Sequence, residues 1–380
     1  MTLVSLISYL DRNALAILAP VILDANGLTA EQYGWIISAF SVTYMLANPL
    51  WGRWLDRYGV RWGMLAAVLL WTAASTAHAW VAGFWGFVAA RGALGFGEGA
   101  TFPGGLRTVV QTLPERWRAR GVAVAYSGGS LGAVIAPLVI NPIFNWFGWR
   151  AAFLFTGFIG LAWACAWLRV SARDSLSAPS PTPHAAHRID WRDLRLWSFV
   201  ATYALGCLPL AFVIYGSSLF LSRVWHRSQS EVGAVLWIPP LGWEVGYFVG
   251  AYILDRFGRP FRTLTLAAFL LIVPLALIPY VSSYTLVLLL FFWSMFVAGS
   301  NVVTAIGYAT GVFGSEQAGF LAGLGAGTWS AAVALLMPGF GALFDAGSWN
   351  SAFALATAVS MLGTGLWLFL NIYCFRPRAI

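Results

Sequence analysis

The sequence predicts an all-α integral membrane protein with twelve transmembrane helices in two related halves. Of its 380 residues, 59% are hydrophobic and only 9% are charged, and the mean hydropathy is +0.75. A soluble domain of that composition would expose a very large apolar surface, so the bilayer is the expected solvent. The chain also contains twelve long apolar segments, and sequence markers recur between its first and second halves.

Each apolar segment is long enough to cross a bilayer as a helix of about 20 residues. Six precede and six follow a stretch rich in Ser, Pro and charge, which is typical of a solvated linker. We therefore expect an N-terminal six-helix bundle (1–170), a linker (171–193) and a C-terminal six-helix bundle (194–380). The predicted spans are 2–23, 32–52, 62–82, 84–110, 120–142, 148–169, 195–222, 231–253, 263–281, 284–309, 317–343 and 350–374.

Two short motifs indicate that the halves repeat each other. LDRYG at Leu55–Gly59 returns as LDRFG at Leu254–Gly258, 199 residues later, and GWRAAF beginning at Gly148 is echoed by GSWNSAF beginning at Gly347. Two markers that agree on one spacing are difficult to obtain by chance. Internal repeats of this size are typical of secondary transporters, whose binding site lies between the repeats near the bilayer midplane.

The arginines predict the orientation in the membrane. All 22 basic residues are arginine, and seventeen of them fall in the linker, at the C-terminus or in loops on that same side, against three on the other side. By the positive-inside rule, the linker and both termini are cytoplasmic; the membrane that we expect is a bacterial inner membrane. The net charge of +8 then reflects topology, and we expect no nucleic-acid partner. The three cysteines are scattered through apolar spans, which predicts neither a disulfide framework nor a metal site.

Two ionisable residues interrupt the fourth apolar span, in RGALGFGEGATFP. Arg91 and Glu98 are seven residues apart, so they share one face of a helix and lie roughly 10 Å apart along its axis. A charge at the centre of a membrane helix costs on the order of 3 kcal/mol, which favours a role in binding or proton transfer. The glycines around them fit no phosphate-binding spacing and indicate close helix packing.

The segment GRWLDRYGVR links the second and third spans. It resembles the G-x-x-x-D-R-x-G-x-R signature of the major facilitator superfamily, and its second copy strengthens the resemblance; the alternative is an ordinary charged loop. The resemblance implies a twelve-helix major facilitator fold, and it implies a conformational role for the signature without substrate contact. The residues concerned are Gly52, Asp56, Arg57, Gly59 and Arg61, with Asp255, Arg256 and Gly258 in the second copy.

The first span carries the motif YLDRNALAILAP. An adjacent Asp and Arg could mark a helix end in the headgroup region, and only eight residues precede Tyr9, which leaves their depth open. Together with GWRAAF and the RGALGFGEGATFP segment, however, this motif resembles the anion:cation symporters of that superfamily. That family carries sugar acids and other organic anions.

Applied to this chain, the resemblance implies two kinds of role in the first half. The arginines would hold a substrate carboxylate through paired hydrogen bonds, and the buried carboxylates would carry protons. Substrate arriving at Arg91 would compete with Glu98 for that arginine, which would couple anion movement to proton movement. The substrate-binding residues expected here are Arg12, Arg91, Tyr9, Tyr44 and Asn13, and the proton-coupling residues are Asp11 and Glu98.

Expectations for the second half rest on single residues. Glu244 is the carboxylate that lies deep in that half, and a role in proton coupling and a helix-packing hydrogen bond are equally consistent with its position. Tyr215 and Asn301 are candidate contacts for substrate hydroxyl groups. His78 falls near the predicted outer surface, where an interfacial position is expected.

The resulting hypothesis is a carrier that imports an organic anion, such as a sugar acid, together with protons by alternating access. Two alternatives stay open: an anion exchanger or effluxer on the same fold, and a membrane sensor that transports nothing. No nucleotide, metal or catalytic motif is visible, so we expect neither an enzyme nor a cofactor. The expected partners are a small organic anion, protons and the lipid bilayer, and the expected state is a monomer.

Overall fold

The computed structural model describes residues 1–172, 176, 190–314 and 317–374. These residues are helical almost throughout, with no strand among them. Most of the predicted linker, and the last six residues, lie outside the described residues. The second and third predicted spans lie in one long helix, and each of the other predicted spans corresponds to one helix or to helices separated by a short interruption.

The described part of the first half contains seven helices with the bounds given below. The first predicted span is bent by 56° into two helices, and the fourth span also forms two helices that meet at Gly99–Ala100. These helices are α1 (Thr2–Ile17), α2 (Ala19–Asn26), α3 (Ala30–Ala77), α4 (Gly83–Glu98), α5 (Thr101–Thr112), α6 (Glu115–Phe147) and α7 (Trp149–Val170).

Among the described residues, the second half contains nine helices, with a 3₁₀ turn at Ile278–Tyr280 and a π-helical turn at Leu370–Cys374. The seventh and eighth predicted spans are each interrupted once, and the ninth is interrupted near its end. The helices are α8 (Leu194–Ala204), α9 (Leu208–Arg223), α10 (Gln229–Val235), α11 (Ile238–Arg256), α12 (Phe261–Leu271), α13 (Pro274–Leu277), α14 (Tyr284–Phe313), α15 (Ala318–Asp345) and α16 (Trp349–Phe369).

Helix length accounts for the number of membrane crossings. Nine helical stretches among the described residues are long and apolar enough to span a bilayer, and ten if α1 and α2 count as one span. The 48-residue α3 would be roughly 72 Å long if straight, which is enough for two crossings. Its backbone is non-helical at Gly59, where the second and third predicted spans meet. The pair α4–α5 forms the remaining crossing, from helices of 16 and 12 residues.

The repeat seen in the sequence is also present in the backbone. Gly59 and Gly258 have φ angles of +78° and +69°, and Gly148 and Gly347 have φ angles of +80° and +67°. Both pairs are 199 residues apart, and both lie in the left-handed region that favours glycine. Each copy of each motif therefore turns at a glycine with positive φ.

A third pair of turns repeats without sequence identity. Gly27 has a φ angle of +62°, and His226, 199 residues later, has a φ angle of +51°. Two residues further on, Thr29 and Ser228 each begin a helix with a complete capping box. The loops share one conformation although their residues differ, which is why only the structure reveals this part of the repeat.

The chain forms two compact units. The first contains the described residues up to 176 together with 218–237 and 334–342, and the second contains the other described residues. Within the first unit, Ser218 Oγ donates to the carbonyl of Ala16 at 2.6 Å, and Ser38 Oγ donates to the carbonyl of Ala334 at 2.6 Å. The first unit thus includes two segments from the second half of the sequence. The borders predicted for the two six-helix bundles therefore stay a prediction.

Each unit has its own apolar core. Large aromatic side chains dominate both cores, which is expected because aromatic rings bury the most area per residue. The first core includes Trp51, Val60, Trp71, Leu94 and Trp167. The second includes Phe199, Tyr308, Leu321 and Trp367.

Replacing Gly59 tests the turn inside α3. Its φ of +78° and ψ of +161° lie in a region almost restricted to glycine, so Gly59→Ala should cost about 1–3 kcal/mol of stability. We expect a clearly lower melting temperature for the purified protein. The control is Gly323→Ala, because that glycine is helical and an added Cβ would meet nothing within 4 Å. Equal melting temperatures for the two variants would contradict a strained turn at position 59.

Candidate functional site

Close packing of α4 against α3 brings the buried charges together. A Cβ added at Gly95 would collide with the carbonyl oxygen of Phe40, and one added at Gly99 would lie 2.7 Å from the Cβ of Ala47. Real Cβ atoms essentially never approach so closely, so these positions require glycine. The glycine-rich sequence therefore serves helix packing, as predicted, and sets the spacing between the two helices.

The centre of the site is an ion pair between α1 and α4. Arg12 donates to Oε2 of Glu98 from Nη2 at 2.8 Å and from Nε at 3.3 Å. Ser8 Oγ donates to the same oxygen at 2.7 Å. Arg12 is 6% exposed and Glu98 is 0% exposed. Removing one partner of such a pair would leave an uncompensated buried charge, which typically costs 3–5 kcal/mol.

Three aromatic rings surround the Arg12 guanidinium. Its central carbon lies 4.5 Å from the ring centre of Tyr9, 4.7 Å from that of Phe40 and 4.9 Å from that of Tyr44. The faces of aromatic rings attract cations and replace part of the lost hydration. The Arg12 guanidinium thus keeps its charge in an apolar environment, because both hydrogen bonds and ring contacts stabilise it.

Arg91 lies beside the same group of residues. It is 1% exposed, its Nη2 donates to the backbone carbonyl of Arg12 at 3.1 Å, and its guanidinium carbon is 5.9 Å from the ring centre of Phe40. The structure brings the two arginines together but pairs Glu98 with Arg12. Competition between substrate and Glu98 for an arginine stays a prediction.

Asp11 faces away from this ion pair. Its Oδ1 accepts a hydrogen bond of 2.6 Å from Ser75, and Ser75 Oγ lies 2.9 Å from Thr156 Oγ1. Its Oδ2 is buried without a hydrogen-bond partner among the described residues. The side chains of adjacent residues in a helix point about 100° apart. Arg12 therefore contacts α4, whereas Asp11 contacts Ser75 of α3, which lies against Thr156 of α7. Asn13 bonds back to the Tyr9 carbonyl at 2.7 Å.

His78 is buried, contrary to the interfacial position expected from the sequence. It is 0% exposed, its ring stacks on Phe153 at 5.0 Å, and its Nδ1 lies 2.8 Å from the carbonyl oxygen of Ala74. Aromatic packing between α3 and α7 explains the difference, because position along a span does not reveal which way a side chain points.

The first copy of the signature joins α3 to α5. Asp56 accepts two hydrogen bonds from Arg107, at 2.6 Å from Nε and 2.7 Å from Nη2. A Cβ added at Gly52 would lie 3.7 Å from the same guanidinium, so this glycine lies beneath the ion pair. The signature also contacts α7 through the backbone of Arg61, because the Arg61 carbonyl accepts a 2.9 Å hydrogen bond from Trp167 Nε1.

The second copy lacks an equivalent ion pair. Asp255 and Arg256 are exposed, and neither forms a salt bridge within the part of the chain that the structure describes. The residue 199 positions after Arg107 is Ile306. The turn at Gly258 is repeated, but the arginine that would hold the aspartate is not.

Asn301 stabilises the interruption between α8 and α9. Its Nδ2 donates to the Thr202 carbonyl at 3.3 Å and to Thr202 Oγ1 at 3.2 Å. Trp329 Nε1 donates to the Cys207 carbonyl at 3.1 Å, and Ser360 Oγ donates to the Gly206 carbonyl at 2.8 Å. A helix break in an apolar environment requires such partners for its freed backbone groups.

The other two site residues predicted in the second half, Tyr215 and Glu244, lie on different helices. Tyr215 is buried in α9 at 3% exposure. Glu244 lies half-buried on α11, and its Oε2 is buried without a hydrogen-bond partner among the described residues. Their roles in binding or proton coupling stay predictions.

Comparison with known proteins identifies the family. The model of the Major Facilitator Superfamily matches residues 1–337 of the chain. This chain belongs to the Major Facilitator Superfamily. The predicted family, the predicted fold class and the prediction that the chain is a transporter rather than an enzyme are confirmed.

Individual transporters resemble the chain over most of its length. It is 28% identical over 397 residues to the hexuronate transporter of Escherichia coli strain K12, which covers 95% of this chain and 90% of that protein. It is 28% identical over 306 residues to the galacturonate transporter of Dickeya chrysanthemi, covering 72% of this chain and 87% of that protein.

A solved structure shares the fold. The crystal structure of a bacterial homologue of the human lysosomal transporter Spinster has a TM-score of 0.75 and covers 97% of this chain and 93% of that chain. Its sequence identity is 18%, so the similarity concerns the fold alone. The twelve crossings described above are thus those of a major facilitator.

Sequence reasoning missed several residues of this transporter's site. Ser8 precedes Arg12 by four residues, so helical periodicity could have placed it on the same face. Phe40 and Ser75 carry no such signal, because their roles depend on how α3 packs against α1. Arg107 was counted only as a loop charge, although it forms the ion pair of the signature.

Replacing Asn301 separates a structural role from substrate binding. Asn301→Ala would leave the Thr202 carbonyl with only the weak Cys207 Sγ donor at 3.6 Å among the described residues, at a cost of about 1–3 kcal/mol. We expect a lower melting temperature without any substrate present. The control is Thr304→Ala, since Thr304 bonds only to the Ser300 carbonyl of its own helix at 2.9 Å. An unchanged melting temperature for Asn301→Ala would contradict the structural role.

Proposed function

We propose that this transporter imports a sugar acid or related organic anion together with protons by alternating access. The observation that supports this most directly is the buried Arg12–Glu98 ion pair, with Arg91 beside it. Hexuronate and galacturonate are named as the substrates of two similar transporters, and each is a hydroxylated sugar with one carboxylate. Paired arginines suit such an anion, because a guanidinium holds a carboxylate through two parallel hydrogen bonds.

Binding would begin as an exchange of carboxylates on Arg12. The substrate carboxylate would take the edge of the guanidinium that now donates to Glu98 at 2.8 Å and 3.3 Å. Tyr9 and Tyr44 already contact Arg12 through their rings and would pack against the sugar ring. Arg91 would provide the second cation.

Proton coupling would follow from charge compensation. Once substrate has taken Arg12, Glu98 would lose the donor that now forms its hydrogen-bonded ion pair, and a fully buried carboxylate without that partner is costly unless a proton neutralises it. Its Oε1 has no hydrogen-bond partner among the described residues and would accept that proton, while Ser8 continues to donate to Oε2. Anion and proton would therefore bind together.

Asp11 would be a second proton carrier. Its Oδ1 is held by Ser75, and its other oxygen is buried without a hydrogen-bond partner in the described part of the chain. Because Asp11 contacts α3 and α7 rather than α4, its protonation would act through the packing of these helices and not by touching substrate.

The proposal also includes the orientation of the chain in the membrane and the change between its alternating-access states. The arginine distribution supports cytoplasmic termini, which places the signature on the cytoplasmic side. The Asp56–Arg107 pair would stabilise one of the alternating states by holding α3 to α5. Opening of the site would then require that pair to rearrange.

Glu98→Gln tests the proposal. The amide keeps the shape of the side chain but cannot carry a proton, so proton-driven accumulation should be lost while exchange of substrate across the membrane remains. Uptake of radiolabelled galacturonate into proteoliposomes would be measured with a pH gradient, and separately with galacturonate on both sides.

The matched control is Glu231→Gln, since that glutamate is exposed and its side chain pairs only with nearby loop residues. It should retain both activities. Uphill uptake that survives in Glu98→Gln would contradict the assignment of the coupling proton.

A further inference from the structure

An apolar groove lies on the surface of the first unit at the turn inside α3. It has a volume of about 420 Å³, within the range of ligand-binding pockets. The turn at Gly59 brings residues from the end of one span and the start of the next to the same groove. We call it the interfacial groove, and it is lined by Trp54, Tyr58, Trp62, Leu65, Ala66 and Leu69.

The aromatic side chains that line this groove are partly exposed. Trp54, Tyr58 and Trp62 are each about half exposed, at 49%, 46% and 51%, and the rings of Trp54 and Tyr58 lie 4.7 Å apart. Trp and Tyr concentrate where hydrocarbon meets headgroups, because their rings are apolar and their N–H or O–H groups are polar. The groove therefore lies at the predicted membrane surface.

Arginines surround the groove. The guanidinium carbon of Arg57 is 5.5 Å from the Tyr58 ring centre, and that of Arg61 is 5.0 Å from the Trp62 ring centre. Arg53 is exposed and lies one helical turn before Arg57, so the two share a face.

These charges are not compensated locally. The nearest carboxylate in sequence, Asp56, is engaged by both donors of Arg107. Arg53 and Arg57 form no salt bridge within the described residues, and Arg61 donates from Nη2 to the Leu168 carbonyl at 3.4 Å without a carboxylate partner in that part of the chain. A net positive charge thus lies next to an open apolar groove.

We propose that the interfacial groove binds an anionic membrane phospholipid. Its phosphate would lie against Arg53, Arg57 and Arg61, and an acyl chain would occupy the groove beside Trp62. A soluble anion would leave the apolar groove empty, and a zwitterionic lipid would leave the arginines uncompensated. Basic pockets next to membrane helices on the cytoplasmic side favour anionic headgroups for this reason. The proposal does not depend on which substrate the transporter carries.

The test is lipid retention by the purified full-length protein in detergent, measured by native mass spectrometry. Phosphatidylglycerol and phosphatidylcholine with identical acyl chains serve as probes. The wild type should retain phosphatidylglycerol at least about tenfold more strongly, since each surface arginine contributes to anionic-lipid affinity.

Two variants separate the charge from the groove. Arg53→Gln with Arg57→Gln should abolish the preference for phosphatidylglycerol. Ala66→Phe, which fills the groove without changing any charge, should weaken retention of both lipids. The matched control is Arg256→Gln with Arg259→Gln, which removes two exposed arginines from the second copy of the motif and should keep the preference. Unchanged melting temperatures would show that each variant is folded.

Three results would overturn the proposal: equal retention of the two lipids by the wild type, a preference that survives in the Arg53/Arg57 variant, or an equal loss in the Arg256/Arg259 control. The last result would show that net charge alone, and not this groove, determines lipid retention.

Discussion

The ion pair between Arg12 and Glu98 determines the organisation of the first unit. Two charges with almost no exposure are stable only if each compensates the other and the remaining polar atoms have partners. The aromatic rings around Arg12, the Ser8 hydroxyl and the glycine contacts of α4 provide those conditions. The same constraint gives the site its chemistry, because any anion that takes Arg12 changes the charge balance of Glu98.

The fold repeats across the halves, but the charges do not. Turns with left-handed glycines recur 199 residues apart at two positions, and the capping boxes of two loops recur at the same spacing. At that spacing, Arg12, Arg91 and Glu98 correspond to Ala211, Leu290 and Val297. Within the described residues, the second half thus repeats the positive-φ turns of the first half but not its buried Arg12, Arg91 and Glu98.

Much of the architecture could be predicted from the sequence, because bilayer thickness fixes helix length and the LDRYG and LDRFG motifs reveal the repeat. The seven-residue spacing of Arg91 and Glu98 also indicated a buried charged face. The sequence could not predict which side chains contact each other. Whether Glu98 meets Arg91 or Arg12, where Asp11 points and what Asn301 holds depend on helix rotation and on distances between helices. Hydropathy contains no information on either, so the hydrogen bonds of Asn301 at the helix break could not be predicted, and its role in substrate binding stays a prediction.

The central claim, that anion and proton enter together, is tested most directly by the internal pH of proteoliposomes. Vesicles would contain no substrate and start at equal pH on both sides, and galacturonate would be added outside while a trapped dye reports the lumen. The account predicts that the lumen acidifies on addition of substrate. An unchanged lumenal pH during uptake, or uptake that requires internal substrate, would contradict it.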